Sequence, residues 1–141
     1  MAQGIGEKLT PLPDLPNCYF VIARPPISVS TKHVFTKLNV KKIEYRPDTD
    51  GILQSLNNGD LGGVARRMHN VLELVTAREH KIISALKNIM LDYGAMGAIM
   101  SGSGPSVFGI YETLEAANKS RAALLEVVSE LFVCAHTKIN K

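Results

Sequence analysis

Two short apolar runs on either side of a stretch of small residues constrain this chain more than any other feature. The runs occupy residues 98–100 and 107–111, and the residues between them read Ser-Gly-Ser-Gly-Pro-Ser. Glycine and proline end regular structure, and apolar runs this short fit strands better than helices. The pattern predicts an antiparallel β-hairpin, so at least part of the chain is expected to form an antiparallel sheet.

Two further segments have the composition of strands. Residues 18–23, Cys-Tyr-Phe-Val-Ile-Ala, lie between Pro16 and the pair Pro25 and Pro26. Because proline cannot donate a hydrogen bond to a neighbouring strand, these prolines mark the ends of a buried strand. Residues 131–135 predict the last strand of the chain.

Several amphipathic stretches separate these strands. A short helix carrying Val34 and Phe35 is predicted after Ser30 or Thr31, since either residue can cap it. A second short helix is predicted from the Arg-Pro-Asp-Thr sequence that begins at residue 46, and Gly59 is placed to end it. A further helix, capped by a threonine at position 113, is predicted between the hairpin and the last strand.

The clearest helical period follows Asp60. Its apolar positions recur at helical spacing: Leu61, Val64, Ala65, Met68, Val71, Leu72 and Val75. We therefore predict one continuous core-facing helix over residues 61–75. A polar break at residues 76–80 is predicted to separate it from a second amphipathic helix that ends at Gly94, and we expect both helices to pack on one face of the sheet.

The predicted order of elements is β-α-α-α-α-β-β-α-β. Helices that are segregated from an antiparallel sheet of four strands define an α+β sandwich of ferredoxin-like character. A length of 141 residues fits one such domain with a single core. The sequence contains no internal repeat.

Composition argues against several classes of function. The net charge of +3 is too mild to predict a nucleic-acid surface, so we expect no nucleic-acid partner. The apolar runs are far shorter than the roughly 20 residues that cross a bilayer, so we expect no membrane partner. Cys18 and Cys134 are far apart without metal-ligand spacing, which favours a reducing, cytoplasmic compartment.

The predicted hairpin turn has the chemistry of an anion-binding loop. Glycine tolerates positive φ, so glycine alternating with serine lets successive backbone N–H groups converge, and the serine hydroxyls add donors. The segment matches neither GxxxxGK[ST] nor GxGxxG, the two usual nucleotide fingerprints. A glycine-rich turn that binds nothing is the alternative interpretation.

Four segments carry a resemblance to a known family. Residues 100–111, MSGSGPSVFGIY, resemble the third conserved motif of the GHMP kinases, a superfamily that includes galactokinase and the homoserine, mevalonate and phosphomevalonate kinases. Residues 6–16, 23–35 and 46–73 resemble one branch of it, the 4-diphosphocytidyl-2-C-methyl-D-erythritol kinases. The PPISVST sequence within residues 23–35 is not shared by the other branches.

The resemblance implies the C-terminal half of a two-domain kinase of isoprenoid (terpenoid) biosynthesis. We expect residues 1–17 to be a connector or strand remnant of a missing N-terminal ATP-binding domain, and residues 18–141 to be the GHMP kinase C-terminal domain. The full enzyme would use ATP and Mg²⁺ to phosphorylate the 2-hydroxyl of 4-diphosphocytidyl-2-C-methyl-D-erythritol. We expect the isolated fragment to bind neither cofactor, to hold no catalytic residue and to be inactive, because phosphoryl transfer needs groups it lacks.

The resemblance also assigns candidate site residues. Thr31 and Phe35 match the family's threonine and aromatic that line the pocket for the cytidine end of the substrate. An aromatic ring can stack on a pyrimidine, although Phe35 could instead pack beside Val34 in the core. The residues expected to form a phosphate loop at the domain interface are Ser101, Gly102, Ser103, Gly104 and Ser106. Val71 stands where relatives commonly have aspartate, so a polar role there is in doubt.

Other polar residues are interpreted as structural. The four histidines, at positions 33, 69, 80 and 136, match no zinc spacing, so we expect no metal site, and we expect solvated side chains for His33, His69 and His80. Arg66 and Arg67 do not face one point of a helix and are expected on a solvated face. Ser103 has no identifiable histidine or aspartate partner for nucleophilic catalysis.

Three alternatives stay open at this stage. The chain could be the C-terminal domain of another GHMP kinase, of the homoserine or phosphomevalonate type. It could be a stand-alone ferredoxin-like ligand-binding module, since that scaffold hosts many functions. It could also associate with itself through apolar surface that a missing domain would otherwise cover.

Overall fold

The computed structural model describes residues 1–136 and confirms the α+β class. Its strands are β1 (Ala2–Gln3), β2 (Lys8–Leu9), β3 (Cys18–Arg24), β4 (Gly97–Met100), β5 (Val107–Tyr111) and β6 (Glu130–His136). Its α-helices are α1 (Thr31–Lys37), α2 (Thr49–Asn57), α3 (Leu61–Arg67), α4 (Glu73–Glu79), α5 (Lys81–Asp92) and α6 (Leu114–Leu125). A 3₁₀ turn covers Val40–Lys42. The last five residues of the predicted domain lie outside the described part of the chain.

The main sheet has four strands in the order β4-β5-β3-β6. All three strand pairs are antiparallel, and β3 lies between β5 and β6, so that Ile22 is paired with Phe108 on one side and Phe132 on the other. The predicted hairpin is confirmed, because β4 and β5 are adjacent and Met100 pairs with Val107. The separate pair β1 and β2 forms a small hairpin before the main sheet.

One face of the sheet forms the larger core. Residues 21 and 23 of β3 and residues 107 and 111 of β5 alternate onto this face, where α5 and α6 cover them. Ile83, Leu86 and Met90 of α5 and Leu124 of α6 are fully buried in it. The hydroxyl group of Tyr111 donates to Ser120 Oγ at 2.6 Å, so the buried phenol has a partner.

The opposite face holds a smaller cluster. Cys18 of β3 and Ile110 of β5 are buried there against Leu61 of α3. Phe20 and Phe108 pack at its margin with ring centroids 6.0 Å apart. The expectation that the helices following Asp60 lie on one face is therefore wrong for α3, which packs on the face opposite to α5.

The predicted continuous helix over residues 61–75 is also wrong. The chain leaves helical conformation at Met68, and α4 begins at Glu73, so the predicted polar break at residues 76–80 lies largely inside a helix. The break occurs because Asn70 Oδ1 accepts from the backbone N–H of Leu72 at 3.0 Å, a local bond that competes with the helix. The observed order from β3 onward has five α-helices before β4, one more than predicted.

Short polar side chains cap the starts of three helices, and the caps at Asp60 and Thr113 were predicted. Asp48, Asp60 and Thr113 each accept a hydrogen bond from a backbone N–H three residues later, at the starts of α2, α3 and α6. Gly59 has a φ of 67° and ends α2 as predicted. In the part of the chain that the structure describes, no helix is long and apolar enough to cross a membrane.

Candidate functional site

The loop between β4 and β5, residues 101–106, is held in a tight conformation by its own backbone. The N–H of Ser101 donates to the carbonyl oxygen of Ser106 at 2.8 Å, and the N–H of Gly104 donates to that of Ser101 at 2.9 Å. Gly102 and Gly104 have φ values of 54° and 91°, in the region where side chains are unfavourable. We call this segment the 101–106 loop.

The two glycines of the 101–106 loop are required for different reasons. A Cβ on Gly104 would lie 2.7 Å from Met100 Sδ and 3.2 Å from Thr76 Cγ2, so packing and conformation both favour glycine. A Cβ on Gly102 would meet nothing within 4 Å. Glycine at position 102 is therefore favoured within the described chain by conformation alone, and this side of the loop is open.

Helix α1 contacts the 101–106 loop through its first residue. The helix is capped by Ser30, whose Oγ accepts from the backbone N–H of His33 at 3.3 Å. Thr31, the other candidate for the cap, is therefore free to use its hydroxyl elsewhere. Its Oγ1 lies 2.8 Å from Ser103 Oγ in a hydrogen bond that either residue can donate. Two sites that the sequence predicted separately are thus in direct contact.

Phe35 lies one turn of α1 beyond Thr31. The side chain of Val34 is buried, but Phe35 is 59% exposed, so it does not share the core position of its neighbour. An exposed phenyl ring next to a polar loop is compatible with a ligand surface. The structure brings Phe35, Thr31 and Ser103 to one region of the surface, while their roles in binding remain predictions.

Three polar side chains outside the predicted site form hydrogen bonds with the backbone of the 101–106 loop or of Met100, which precedes it. Asn70 Nδ2 donates to the carbonyl oxygens of Met100 and Gly102, at 2.7 and 2.8 Å. Thr76 Oγ1 donates to the carbonyl oxygen of Ser103 at 3.0 Å. Glu73 Oε2 accepts from the backbone N–H of Met100 at 3.1 Å.

These supporting residues all lie in α4 or in the segment just before it. Glu73 is neutralised by an ion pair with Lys87 of α5, so its carboxylate is engaged on both sides. Thr76 is completely buried although it is polar. The sequence indicates this burial, because Thr76 follows Leu72 by four residues. At helical spacing, Thr76 therefore lies on the same face as the apolar residues.

The histidines and arginines divide into three environments. His33 Nε2 lies 3.0 Å from Glu79 Oε2, which ties α1 to α4 on the exposed surface. The expectation of a solvated His69 is wrong, because its Nε2 is buried between α3 and α4 and has no hydrogen-bond partner among residues 1–136. Arg67 is half-buried and bonds Asp48 at 3.0 Å, so it joins α2 to α3, whereas Arg66 stays exposed.

Two cavities flank the segment that carries His69. One, of about 350 Å³, lies between the end of α1 and α4, and its lining includes Lys37, Tyr45 and Arg78. The other, of about 260 Å³, lies beneath Asn70 and Glu73. The linings of these two cavities include neither Phe35 nor any residue of the 101–106 loop.

The described residues do not form a cation site. Among residues 1–136, no three His, Cys, Asp or Glu side chains are grouped so that they could hold a metal ion. The carboxylate of Glu73, which accepts from the backbone of Met100 beside the 101–106 loop, is also paired with Lys87. The described chain therefore does not fit a Mg²⁺ site of its own.

Comparison with known proteins places this fold and loop in a class of small-molecule kinases. The family model described as GHMP kinases C terminal matches residues 52–130, more than half of the chain and including the 101–106 loop. The chain therefore belongs to the GHMP kinase C-terminal family.

Curated relatives narrow the similarity to one kind of kinase. The chain is 54% identical over 112 residues to a protein of Alkaliphilus metalliredigens named 4-diphosphocytidyl-2-C-methyl-D-erythritol kinase, covering 79% of this chain and 38% of that protein. It is 40% identical over 133 residues to a protein of the same name from Clostridium botulinum strain Hall, covering 94% of this chain and 48% of the relative. The chain thus spans less than half the length of these relatives.

Solved structures agree with the sequence relatives. A crystal structure of 4-(cytidine 5'-diphospho)-2C-methyl-D-erythritol kinase matches with a TM-score of 0.77 and 27% identity over 95% of this chain and 48% of that one. A homoserine kinase of Cytophaga hutchinsonii matches with a TM-score of 0.69 and 25% identity, over 91% of this chain and 44% of that one. Both comparisons confirm the predicted fold and family.

Proposed function

We propose that this chain is the substrate-binding C-terminal half of an ATP-dependent kinase that acts on 4-diphosphocytidyl-2-C-methyl-D-erythritol, in a cytoplasmic pathway of isoprenoid synthesis. The relatives named above support the substrate. The observation that carries the proposal is the contact between Thr31 and Ser103, because it joins the predicted cytidine end of the site to the predicted phosphate end. The rest of the proposal assigns a role to each side of that contact.

The nucleoside end of the substrate is assigned to α1. The exposed ring of Phe35 stacks on the cytosine, and Thr31 contacts the nucleoside. Stacking of a base on an aromatic side chain contributes about 1 to 3 kcal/mol in nucleic-acid complexes. This contribution sets the nucleoside in place and leaves the other end of the substrate near the 101–106 loop.

The phosphate end is assigned to the 101–106 loop. The hydroxyls of Ser101, Ser103 and Ser106 and the backbone beside Gly102, where a Cβ would meet nothing within 4 Å, are offered to the transferring phosphate. In the reaction, an oxygen–phosphorus bond forms between the 2-hydroxyl and the γ-phosphorus, the bond from that phosphorus to ADP breaks, and the hydroxyl proton passes to a base. The loop orients and stabilises charge and does not itself take up that proton.

The base, the main ATP-binding loop and the Mg²⁺ site are assigned to an N-terminal half. Residues 1–17 are assigned to the connection with that half, and residues 18–141 to the present domain. Mg²⁺ neutralises charge on the transferring phosphates when it is bound. The described residues supply neither a grouped set of ligands for it nor a free carboxylate at the 101–106 loop, so we assign no turnover to this chain alone.

A second candidate substrate comes from the structural comparison. The similarity to a homoserine kinase is only slightly lower than the similarity to the cytidine-linked kinase. A homoserine acceptor carries no pyrimidine, so it would give Phe35 nothing to stack on. Self-association is a further candidate, because Phe35 and Phe132 are both exposed aromatic residues.

The test uses a fusion of this chain to the N-terminal part of the Alkaliphilus relative, and ADP formation is measured. We expect turnover with ATP and 4-diphosphocytidyl-2-C-methyl-D-erythritol, inhibition by cytidine nucleotides, and no turnover by the 141-residue chain alone. Turnover with homoserine and no inhibition by cytidine nucleotides would instead support the second candidate. Sedimentation of the chain at several concentrations tests self-association.

A further inference from the structure

We propose that Asn70 and Thr76 are positioning residues that set the conformation in which the 101–106 loop meets the phosphate end of the substrate. This inference rests on the proposed function for its catalytic consequence, but its structural content can be tested separately. Neither residue is within the predicted site, and neither needs to touch the substrate. Both act through the backbone of the loop.

The hydrogen bonds of these residues cover the first half of the loop. Asn70 donates to the carbonyl oxygens of Met100 and Gly102, and Thr76 donates to that of Ser103. The carbonyl groups of Met100, at the end of β4, and of Gly102 and Ser103 in the loop are therefore turned toward Asn70 and Thr76. In a planar trans peptide unit the N–H points opposite to the carbonyl, so the bond to Gly102 directs the N–H of Ser103 outward, whereas the N–H groups of Ser101 and Gly104 donate within the loop.

These hydrogen bonds determine which backbone conformation the 101–106 loop offers to the substrate. With the carbonyl groups of Gly102 and Ser103 held from beneath, the backbone near Ser103 cannot rotate without breaking a bond to a part-buried donor. Leaving the part-buried carbonyl of Ser103 without its donor is unfavourable, so the bond from Thr76 favours one conformation. Ser103 also bonds Thr31, so the same conformation fixes the distance between the loop and α1.

The support is coupled to the break between α3 and α4. Asn70 can reach the loop only because the chain is not helical there, and its Oδ1 stabilises that break by accepting from Leu72. Both ends of one amide are thus engaged, the oxygen in the local turn and the nitrogen in the loop. The irregular segment between α3 and α4 is therefore explained by the position of the loop.

The first test measures amide hydrogen exchange in the 141-residue chain. Thr76→Val removes the hydroxyl at nearly constant volume, and Thr76→Ser retains it. Asn70→Asp replaces the donating amide by a carboxylate, and Asn118→Asp makes the same change on the exposed surface of α6. We expect exchange at Ser101 and Gly104 to rise about tenfold in Thr76→Val and Asn70→Asp and to stay unchanged in Thr76→Ser and Asn118→Asp.

The second test measures kcat and KM in the fusion kinase described above. We expect Thr76→Val to lower kcat about tenfold, with the KM for the cytidine substrate nearly unchanged, because small displacements of positioning groups reduce rate strongly. Thr76→Ser should restore kcat. A merely structural role would slow both Thr76 variants alike or would leave kcat intact.

The outcomes separate the two proposals. An inactive wild-type fusion contradicts the proposed function, but the exchange measurement still decides whether Asn70 and Thr76 hold the loop. Unchanged exchange in both Thr76→Val and Asn70→Asp overturns the inference whatever the activity is. An active fusion in which Thr76→Val has the kcat of the wild type, or in which Thr76→Ser is as slow as Thr76→Val, overturns it as well.

Discussion

The side chains of Thr31 and Ser103 are 72 residues apart in the sequence, and their hydroxyl oxygens lie 2.8 Å apart in the folded chain. This contact places two segments that were predicted separately, the start of α1 and the 101–106 loop, on one surface. A capping threonine and a glycine-rich turn each have ordinary structural explanations. Their juxtaposition with the exposed ring of Phe35 is what makes a ligand surface the better interpretation.

Replacing Thr31 by valine tests this contact at the scale of one residue. The change removes a hydroxyl that bonds Ser103, so we expect the KM of the fusion kinase for the cytidine substrate to rise about fivefold. Thr36→Val is the matched control on the same helix, because the hydroxyl of Thr36 donates to the carbonyl oxygen of Lys32 instead. Equal KM values for the two variants would remove Thr31 from the site.

Two buried acids predict a loss of stability at alkaline pH. Burial, and next the nearby Cys134 thiol, raise the pKa of the Cys18 thiol, and burial raises the pKa of the Tyr111 phenol against the lowering effect of Ser120. Both groups hold their protons more tightly when folded, so they contribute full stability below their ordinary pKa values of 9.0 and 10.0. That stability is lost as the pH rises through the higher folded values.

The measurement is the free energy of unfolding in urea at pH values from neutral to alkaline. We expect it to decline from about pH 9 upward. Tyr111→Phe should flatten the upper part of that decline, even though it also removes the bond to Ser120. A wild-type curve that stays level or rises over this range would be inconsistent with both assignments.

Single-residue roles could be predicted from the sequence where a side chain bonds the backbone a few residues away. Asp60 and Thr113 cap helices because a short polar side chain before an apolar period has few other uses. Asn70 and Thr76 were missed because their partners are carbonyl groups of a loop about 30 residues away. Only the fold brings such partners together, so the sequence can indicate the burial of Thr76 by its helical spacing but not the group that it bonds.

At the scale of elements, the 101–106 loop and its two glycines give the sharpest test. Gly102→Ala and Gly104→Ala each force a side chain into a positive φ, which costs about 1 to 2 kcal/mol. Gly104→Ala also drives a Cβ toward Met100 and Thr76, whereas the Cβ of Gly102→Ala points into open space. We therefore expect Gly104→Ala to lower the free energy of unfolding clearly more than Gly102→Ala.

Gly59→Ala provides the control for this comparison. Gly59 has a φ of 67° and no atom within 4 Å of an added Cβ, so it isolates the conformational cost at a position remote from the loop. Urea unfolding of the three variants should place Gly59→Ala and Gly102→Ala together. If Gly104→Ala falls with them, the packing of the loop against α4 is weaker than its geometry indicates.

The helices also show why an element can be predicted with the wrong length. Apolar residues at 61, 64, 65, 68, 71, 72 and 75 keep a helical period across the break between α3 and α4. The period persists because both helices bury a face, although α3 and α4 bury theirs on opposite faces of the sheet. Periodicity reports burial and does not report whether the backbone between two buried faces is continuous.

At the scale of the whole molecule, the described chain forms one four-stranded antiparallel sheet with a buried cluster on each face. It spans 38% of one relative and 48% of another, and the surface formed by α1 and the 101–106 loop is open in the described structure. Family and fold could be inferred from the sequence through its resemblance to the GHMP kinases, and the position of the site stays a prediction. The side chains that hold the 101–106 loop could not be inferred, because Asn70 and Thr76 meet their partners only in the folded chain.

The central claim is that α1 and the 101–106 loop form one surface that recognises a cytidine-linked substrate. Its most direct test is the KM of the fusion kinase for 4-diphosphocytidyl-2-C-methyl-D-erythritol with Phe35→Ala, compared with Phe132→Ala, since Phe132 is similarly exposed on the far edge of the sheet. Loss of stacking predicts a KM at least about fivefold higher for Phe35→Ala alone. A KM that is the same in wild type and both variants would contradict the claim.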